Sequence, residues 1–205
     1  MQGMRRFLVA AVLVVIFGAA PESAHAYRLT YKEQIYDLVH QQLSMRPENY
    51  AENIGWLELA LKADFANPLY ARAEIANARE WELYRDLFWM HLNLALVDQY
   101  LGWASDYFKF VAYFYNYPWR DDNLESLVRA ESLFGIALYY WDEAVRWSAE
   151  ASRFPWMSPE EIQYWEDQSY RIQTGELDYK AIIGRHMTKL QEVREAFQKM
   201  DSTTY

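Results

Sequence analysis

The chain has no cysteine in its 205 residues. Disulfides, thiolate metal sites, iron–sulfur clusters and a cysteine nucleophile are therefore all excluded. Glycine and proline are scarce, 7 and 6 in number, which leaves little material for the many tight turns of an all-β fold. Positive charge is in deficit: Asp and Glu outnumber Lys and Arg by 29 to 20, for a net charge of −9. A nucleic-acid partner is not expected, because neutralising phosphates needs clustered Lys and Arg. Aromatic residues are what the chain has in excess, with 9 Trp, 17 Tyr and 10 Phe. That load is incompatible with disorder and the length suits one domain.

Residues 1–26 read as an export signal. Arg5 and Arg6 form a basic start, Phe7 to Ala20 is an apolar run, Pro21 breaks it, and Ala24-His25-Ala26 is a small-x-small cleavage site. The alternative is an uncleaved membrane anchor, but the run is short of the ~20 residues that span hydrocarbon. No cysteine follows, so a lipoprotein is excluded. The mature chain is expected to be 27–205, periplasmic, with no stable membrane span. Loss of Arg5, Arg6 and Glu22 takes its net charge from −9 to −10.

Nearly every mature segment has helical periodicity. Thr30 with Glu33 reads as a capping box, followed by Tyr31, Ile35, Leu38, Val39 and Leu43 on one face and a stop at Pro47. Asn49 with Glu52 opens a second helix. Asn67-Pro68 reads as an N-cap with proline at the first helical position, starting a short helix to about Ala76. Asn77 with Glu80 opens a helix that is apolar on most sides and reaches toward Tyr115; such a helix is central and buried. Asp122 with Glu125 caps a long helix to about Arg153, with Leu127, Val128, Phe134, Ala137, Trp141 and Ala144 in its stripe. Ser158-Pro159-Glu160-Glu161 starts another, which stops at Gly175. The last runs from about Asp178 to Met200. The expectation is an all-α domain of about seven helices, sequential ones antiparallel because the loops are short.

The stretch Ala137-Leu-Tyr-Tyr-Trp141-Asp-Glu-Ala144-Val145 resembles the second helix of a tetratricopeptide repeat, where small residues around an aromatic let helices pack closely. Ala60-Leu61-Lys-Ala-Asp64-Phe-Ala-Asn-Pro68 resembles that repeat's ending, with its proline about three residues late. The fold is thus expected to be a degenerate tetratricopeptide-like solenoid, a non-repeat helix bundle being the alternative. Over 27–205 the sequence also resembles a spirochaetal family of small periplasmic helical proteins associated with the collar at the base of the periplasmic flagellum. The residues that carry this are Tyr31-Lys-Glu-Gln-Ile-Tyr-Asp-Leu-Val-His40, Lys62-Ala-Asp-Phe-Ala-Asn-Pro-Leu-Tyr-Ala71, Ala112-Tyr-Phe-Tyr-Asn-Tyr-Pro-Trp119 and Trp165-Glu-Asp-Gln-Ser-Tyr-Arg-Ile-Gln-Thr-Gly-Glu176. The resemblance implies a scaffold with flagellar-motor or envelope proteins as partners, and it brings no functional residue with it.

Catalytic chemistry is hard to place. Asp37-x-x-His40 is half of a carboxylate-bridged di-metal motif, and no second copy exists. His40, His91 and His186 read as core or partly buried histidines. There is no H-E-x-x-H, G-x-S-x-G or P-loop, so neither a metal nor a cofactor is expected. Arg129-Ala-Glu131-Ser132-Leu-Phe134 resembles the Glu-Ser-x-Phe core of soluble lytic transglycosylases, in which the Glu is the general acid/base. That family continues into a Gly-Ala-x-Gly-Leu-Met-Gln stretch shaping the sugar site; here Tyr139-Tyr-Trp-Asp-Glu follows. A non-enzyme is the expectation.

The densest aromatic run lies between Trp103 and Arg120. Neighbours one and two apart cannot share a helix face, so one buried stripe cannot take them all. Tyr, Trp and Arg are the residue types of interface hot spots. One reading makes the run a second packing face. The other makes Tyr115, Tyr117, Trp119 and Arg120, around Pro118, a surface that binds a protein partner. The expected function is an exported non-catalytic scaffold or adaptor; the alternative is a periplasmic ligand-binding or transport-accessory protein.

Overall fold

The computed structural model describes residues 28–155 and 160–203. The fold is all-helical, with six α-helices among the described residues: α1 (Lys32–Met45), α2 (Tyr50–Lys62), α3 (Ala78–Tyr113), α4 (Arg120–Ala151), α5 (Gln163–Thr174) and α6 (Tyr179–Gln198). Single 3-10 turns stand at Pro68–Tyr70, Tyr117–Trp119 and Glu160–Ile162. The expected export signal and cleavage site, and the expected cap at Ser158, lie outside the described residues. No described helix is long and apolar enough to cross a membrane.

Helix α3 is the spine, as its all-round apolar pattern predicts. Asn77 caps it by accepting the N–H groups of Arg79 and Glu80, and the Glu80 carboxylate returns to the Ala76 N–H. Leu83, Tyr84, Leu87, Phe88, Met90, Leu92, Leu94, Leu96 and Val97 are all buried, a spread around the helix that only neighbours on several sides can cover. Helix α4 returns antiparallel along it: Trp89 stacks on Trp147, Tyr100 on Tyr140, and Ser126 Oγ donates to the Tyr107 carbonyl. Helix α2 lies antiparallel on α3, with Asn53 donating to Gln99 Oε1 at 2.9 Å. The Tyr100 and Tyr140 hydroxyls both donate to Glu58 Oε1, which ties α2, α3 and α4 together. Helix α6 runs antiparallel to α4, with His186 stacked on Phe134 and Tyr179 against Trp141. Helix α5 is joined to α4 through Ser148 and Ser169. It ends at Gly175, whose φ of 76° is the left-handed C-terminal geometry that favours glycine.

Several local expectations are corrected. The short helix from Asn67 to about Ala76 is one 3-10 turn: the Asn67 side chain accepts the Leu69 N–H and its carbonyl the Tyr70 N–H, and Ala71 is already extended. The Thr30–Glu33 box does not form. Gln34 takes the Thr30 and Tyr31 N–H groups instead, while Glu33 is buried and accepts the Ala66 N–H at 2.9 Å. Tyr31, expected inward, is exposed, as is Val128, 57% accessible on the outer side of α4. His40 is exposed rather than core, whereas His91 and His186 are partly buried. Helix α4 starts at Arg120, two residues before its expected cap at Asp122, because the turn at Tyr117–Trp119 runs straight into it.

Candidate functional site

The aromatic run divides where α3 ends. Asn123, fully buried in the first turn of α4, donates to the Phe114 carbonyl at 2.6 Å and so fixes the path of 114–119. The three aromatic residues singled out there stay accessible: Tyr115 49%, Tyr117 36% and Trp119 40%. Their surroundings differ. Tyr115 lies against the Phe197 ring at 4.8 Å, at the end of α6. Arg120 Nε donates to the Phe197 carbonyl at 3.0 Å, which makes it a C-terminal cap of α6 and engages the guanidinium within the chain. Trp119 packs on Phe114 at 4.6 Å and turns the rest of its surface to a cleft.

That cleft has a volume of about 690 Å³. One wall is α3, where Trp103, Asp106 and Tyr107 share a face at helical spacing. The opposite wall is α4, where Asp122, Glu125, Ser126 and Arg129 do the same. Glu48 and Tyr50, at the start of α2, close one side and Trp119 the other. Tyr50 lies directly on the α3 backbone at Gly102: a Cβ there would sit 2.5 Å from its ring. Glycine at 102 therefore lets the phenol reach the cleft. Its hydroxyl pKa is raised by burial and by the negative charges of Asp106 and Glu48.

The lining is acidic and aromatic at once. Among the described residues that line it, Arg129 is the one cation; it pairs with Glu125 at 2.5 Å and lies over the Tyr107 ring at 5.7 Å. Asp106 has only a loose pairing with Lys109, at 3.6 Å. Among the described residues Glu48 and Asp122 have no ion-pair partner. Nor do any described His, Asp or Glu residues form a cluster that could hold a metal ion. Chemically the cleft can attract and stack a cation of some size. Ser126 is no candidate nucleophile, since its hydroxyl is held by a backbone carbonyl. Sequence reasoning singled out Trp119 and missed Tyr50 and the four carboxylates. The spacing of Asp122, Glu125 and Arg129 was readable, but nothing local says that they face α3 rather than solvent.

Glu131 lies elsewhere, on α4, bonded by both carboxylate oxygens to the Arg194 guanidinium of α6. That bond, together with the Arg194 charge, outweighs the opposing effect of its slight burial and holds its pKa below the usual carboxylate value. A glycosidic general acid needs the opposite shift.

Residues 79–200 match the family described as a domain of unknown function (DUF8513), and the chain belongs to that family. The match covers α3 to α6, and with them both long walls of the cleft. No curated protein and no solved structure matches the chain.

Proposed function

We propose that the chain is an exported, non-catalytic scaffold that binds other proteins, of the periplasmic flagellar-collar type its sequence resembles. The carrying observation is the exposed trio Tyr115, Tyr117 and Trp119, beside an aromatic cleft and on a turn pinned by Asn123. Large aromatics held rigidly at a surface lose little entropy on binding and serve as interface anchors. The low pKa of Glu131 supports a non-catalytic reading of the one motif that resembles an enzyme's. Within the helical architecture, a degenerate tetratricopeptide-like stack draws support from Ala137, Trp141 and Ala144, all buried at the small–aromatic–small spacing of that repeat. Helices α3 and α4, 36 and 32 residues long, depart from it, since a whole repeat takes about 34 residues.

Trp119→Ala tests the interface. Truncating a central interface tryptophan costs at least ~2 kcal/mol of binding, about thirtyfold in affinity. Because Trp119 is accessible and rests on one ring, its loss is expected to cost the fold under about 1 kcal/mol. Wild-type protein should capture a partner from cell envelopes, identified by mass spectrometry, and the variant should lose it at an unchanged melting temperature. A collapsed melting temperature would make Trp119 a core residue. Export is tested separately: the native protein is expected to begin at Tyr27 on N-terminal sequencing, and a retained Met1 would refute cleavage.

The cleft's volume falls in the range of small-molecule pockets, roughly 300–1,000 Å³, and this favours the ligand-binding or transport-accessory role as a second reading. Trp119→Ala would then leave envelope partners in place.

A further inference from the structure

We infer that the acidic aromatic cleft is a receptor for a cationic side chain, arginine or lysine, presented by the protein partner; this rests on the scaffold reading above. Among the described lining residues, four carboxylates, on Glu48, Asp106, Asp122 and Glu125, face one resident cation, Arg129. Arg129 is already paired with Glu125. The remaining negative charge is spread along the walls instead of converging on a point, and the described residues form no metal-holding cluster. Between the carboxylates stand four rings, those of Tyr50, Trp103, Tyr107 and Trp119. A ring face within about 6 Å attracts a cation, tryptophan most strongly, and a planar guanidinium can stack on a ring while its edge donates to carboxylates. The site already holds one such arrangement in miniature, with Arg129 over Tyr107 and bonded to Glu125.

The surroundings of the cleft decide between a free small cation and a side chain on a partner. Tyr117 and Tyr115, on the same chain turn as the cleft residue Trp119, remain exposed. A free amine would leave them uncovered, whereas a protein that inserts one cationic side chain past Trp119 would cover them with its flanking residues. The cation then supplies selectivity by charge, and the aromatic rim supplies apolar contact.

The test uses the full chain, immobilised, and two pools of capped heptapeptides with randomised neutral flanks. One pool carries a fixed central arginine and the other the isosteric, uncharged citrulline. The arginine pool is expected to be retained at least tenfold better. Trp119→Ala should abolish the difference with the charge count untouched, and Asp106→Asn should weaken it about threefold to tenfold. Asp142→Asn, an exposed carboxylate on α4 that does not line the cleft, should leave it unchanged, which separates the site from general attraction to an acidic protein. Melting temperatures of all three variants should match the wild type; should Trp119→Ala fail to fold, Asp106→Asn decides alone. Equal retention of the two pools, or equal loss in Asp106→Asn and Asp142→Asn, overturns the proposal. So does competition by N-acetylarginine amide at the affinity of the peptides, which would make the occupant a free small cation. If the cation test fails while Trp119→Ala still loses its envelope partner, the scaffold reading stands and only the cation chemistry falls. If arginine binds but no envelope partner depends on Trp119, the scaffold reading fails instead.

Discussion

Lys32→Met is expected to lower the melting temperature at pH 7 by about 6–12 °C. Lys32 is fully buried in the first turn of α1. Its Nζ donates to the Ala60 carbonyl at 2.6 Å and the Leu61 carbonyl at 2.8 Å. These are among the last carbonyls of α2, and helix geometry leaves them without an intrahelical donor. The lysine is thus a C-terminal cap delivered from another helix, where a cation also suits the helix dipole. Its amine lies 5.1 Å from the Phe65 ring centre and 5.6 Å from that of Trp89. Methionine keeps the volume but leaves both acceptors unpaired in an apolar setting, at about 1–3 kcal/mol each. Relief of the lysine's desolvation offsets part of that, and a net loss of about 3 kcal/mol remains. For a chain of this size each kcal/mol is worth about 2–4 °C.

The same variant has a pH signature. Burial lowers the Lys32 pKa from 10.5 to about 8, against the pull of Glu33 and Asp64. Between pH 8 and 10.5 the unfolded chain holds a proton that the folded chain has released, so folding becomes more favourable as pH rises. A neutral amine still has two N–H groups for its two carbonyls. The gap in stability between wild type and Lys32→Met should therefore widen from pH 7.5 to 9.5, as read by thermal melts. A gap that stays constant would mean the amine is solvated.

Helix α3 was legible because its signals agree: Asn77 and Glu80 cap it, apolar residues surround it, and no proline interrupts it before Pro118. Lys32 and Glu33 show the limit. Glu33 reads in sequence as a capping partner and Lys32 belongs to no expected apolar face, yet both are buried by groups about thirty residues away, at Ala60, Leu61 and Ala66. Local patterning has no access to orphan carbonyls on another helix. The candidate site divides the same way. Pro118 announces a turn and the turn is exposed, as the sequence implied for Tyr115, Tyr117 and Trp119. Arg120 looked equally free, but its donor is claimed by the end of α6, 77 residues on. The cleft's carboxylates come from α3, α4 and the turn before α2, and only the packing of α2 and α4 on α3 makes them neighbours.

The second large effect is expected at His91, where α1, α3 and α5 meet. The Tyr36 hydroxyl is 2.7 Å from Nε2, and Gln168 Oε1 is 2.7 Å from Nδ1. One neutral tautomer satisfies both: Nδ1–H donates to Gln168, and Nε2 accepts from Tyr36. The ring is also stacked on Trp165. Burial lowers the His91 pKa from 6.5 to about 4; the Gln168 bond opposes this, while His40 and Arg72 add to it. Between pH 6.5 and 4 the unfolded chain binds a proton that the folded chain refuses, so this group removes stability on acidification, up to a ceiling of about 3 kcal/mol. Asp86 works the other way. Burial raises its pKa from 3.8 to about 6, so the folded state takes a proton first and gains stability as pH falls from 6 to 3.8. Its partial solvation makes that gain the smaller of the two. Asp98, also raised by burial, adds in the same direction as Asp86. The wild-type profile is a partial cancellation, and the variants separate it. His91→Gln is expected to be less stable than wild type at pH 7.5, and this deficit should shrink or reverse by pH 4.5, a relative change of several degrees. Asp86→Asn should expose the uncompensated acid loss and melt progressively earlier than wild type below pH 6. A His91→Gln deficit that holds constant from pH 7.5 to 4.5 would mean that the imidazole charges freely in the folded protein, and the three-helix junction would then have no acid sensitivity.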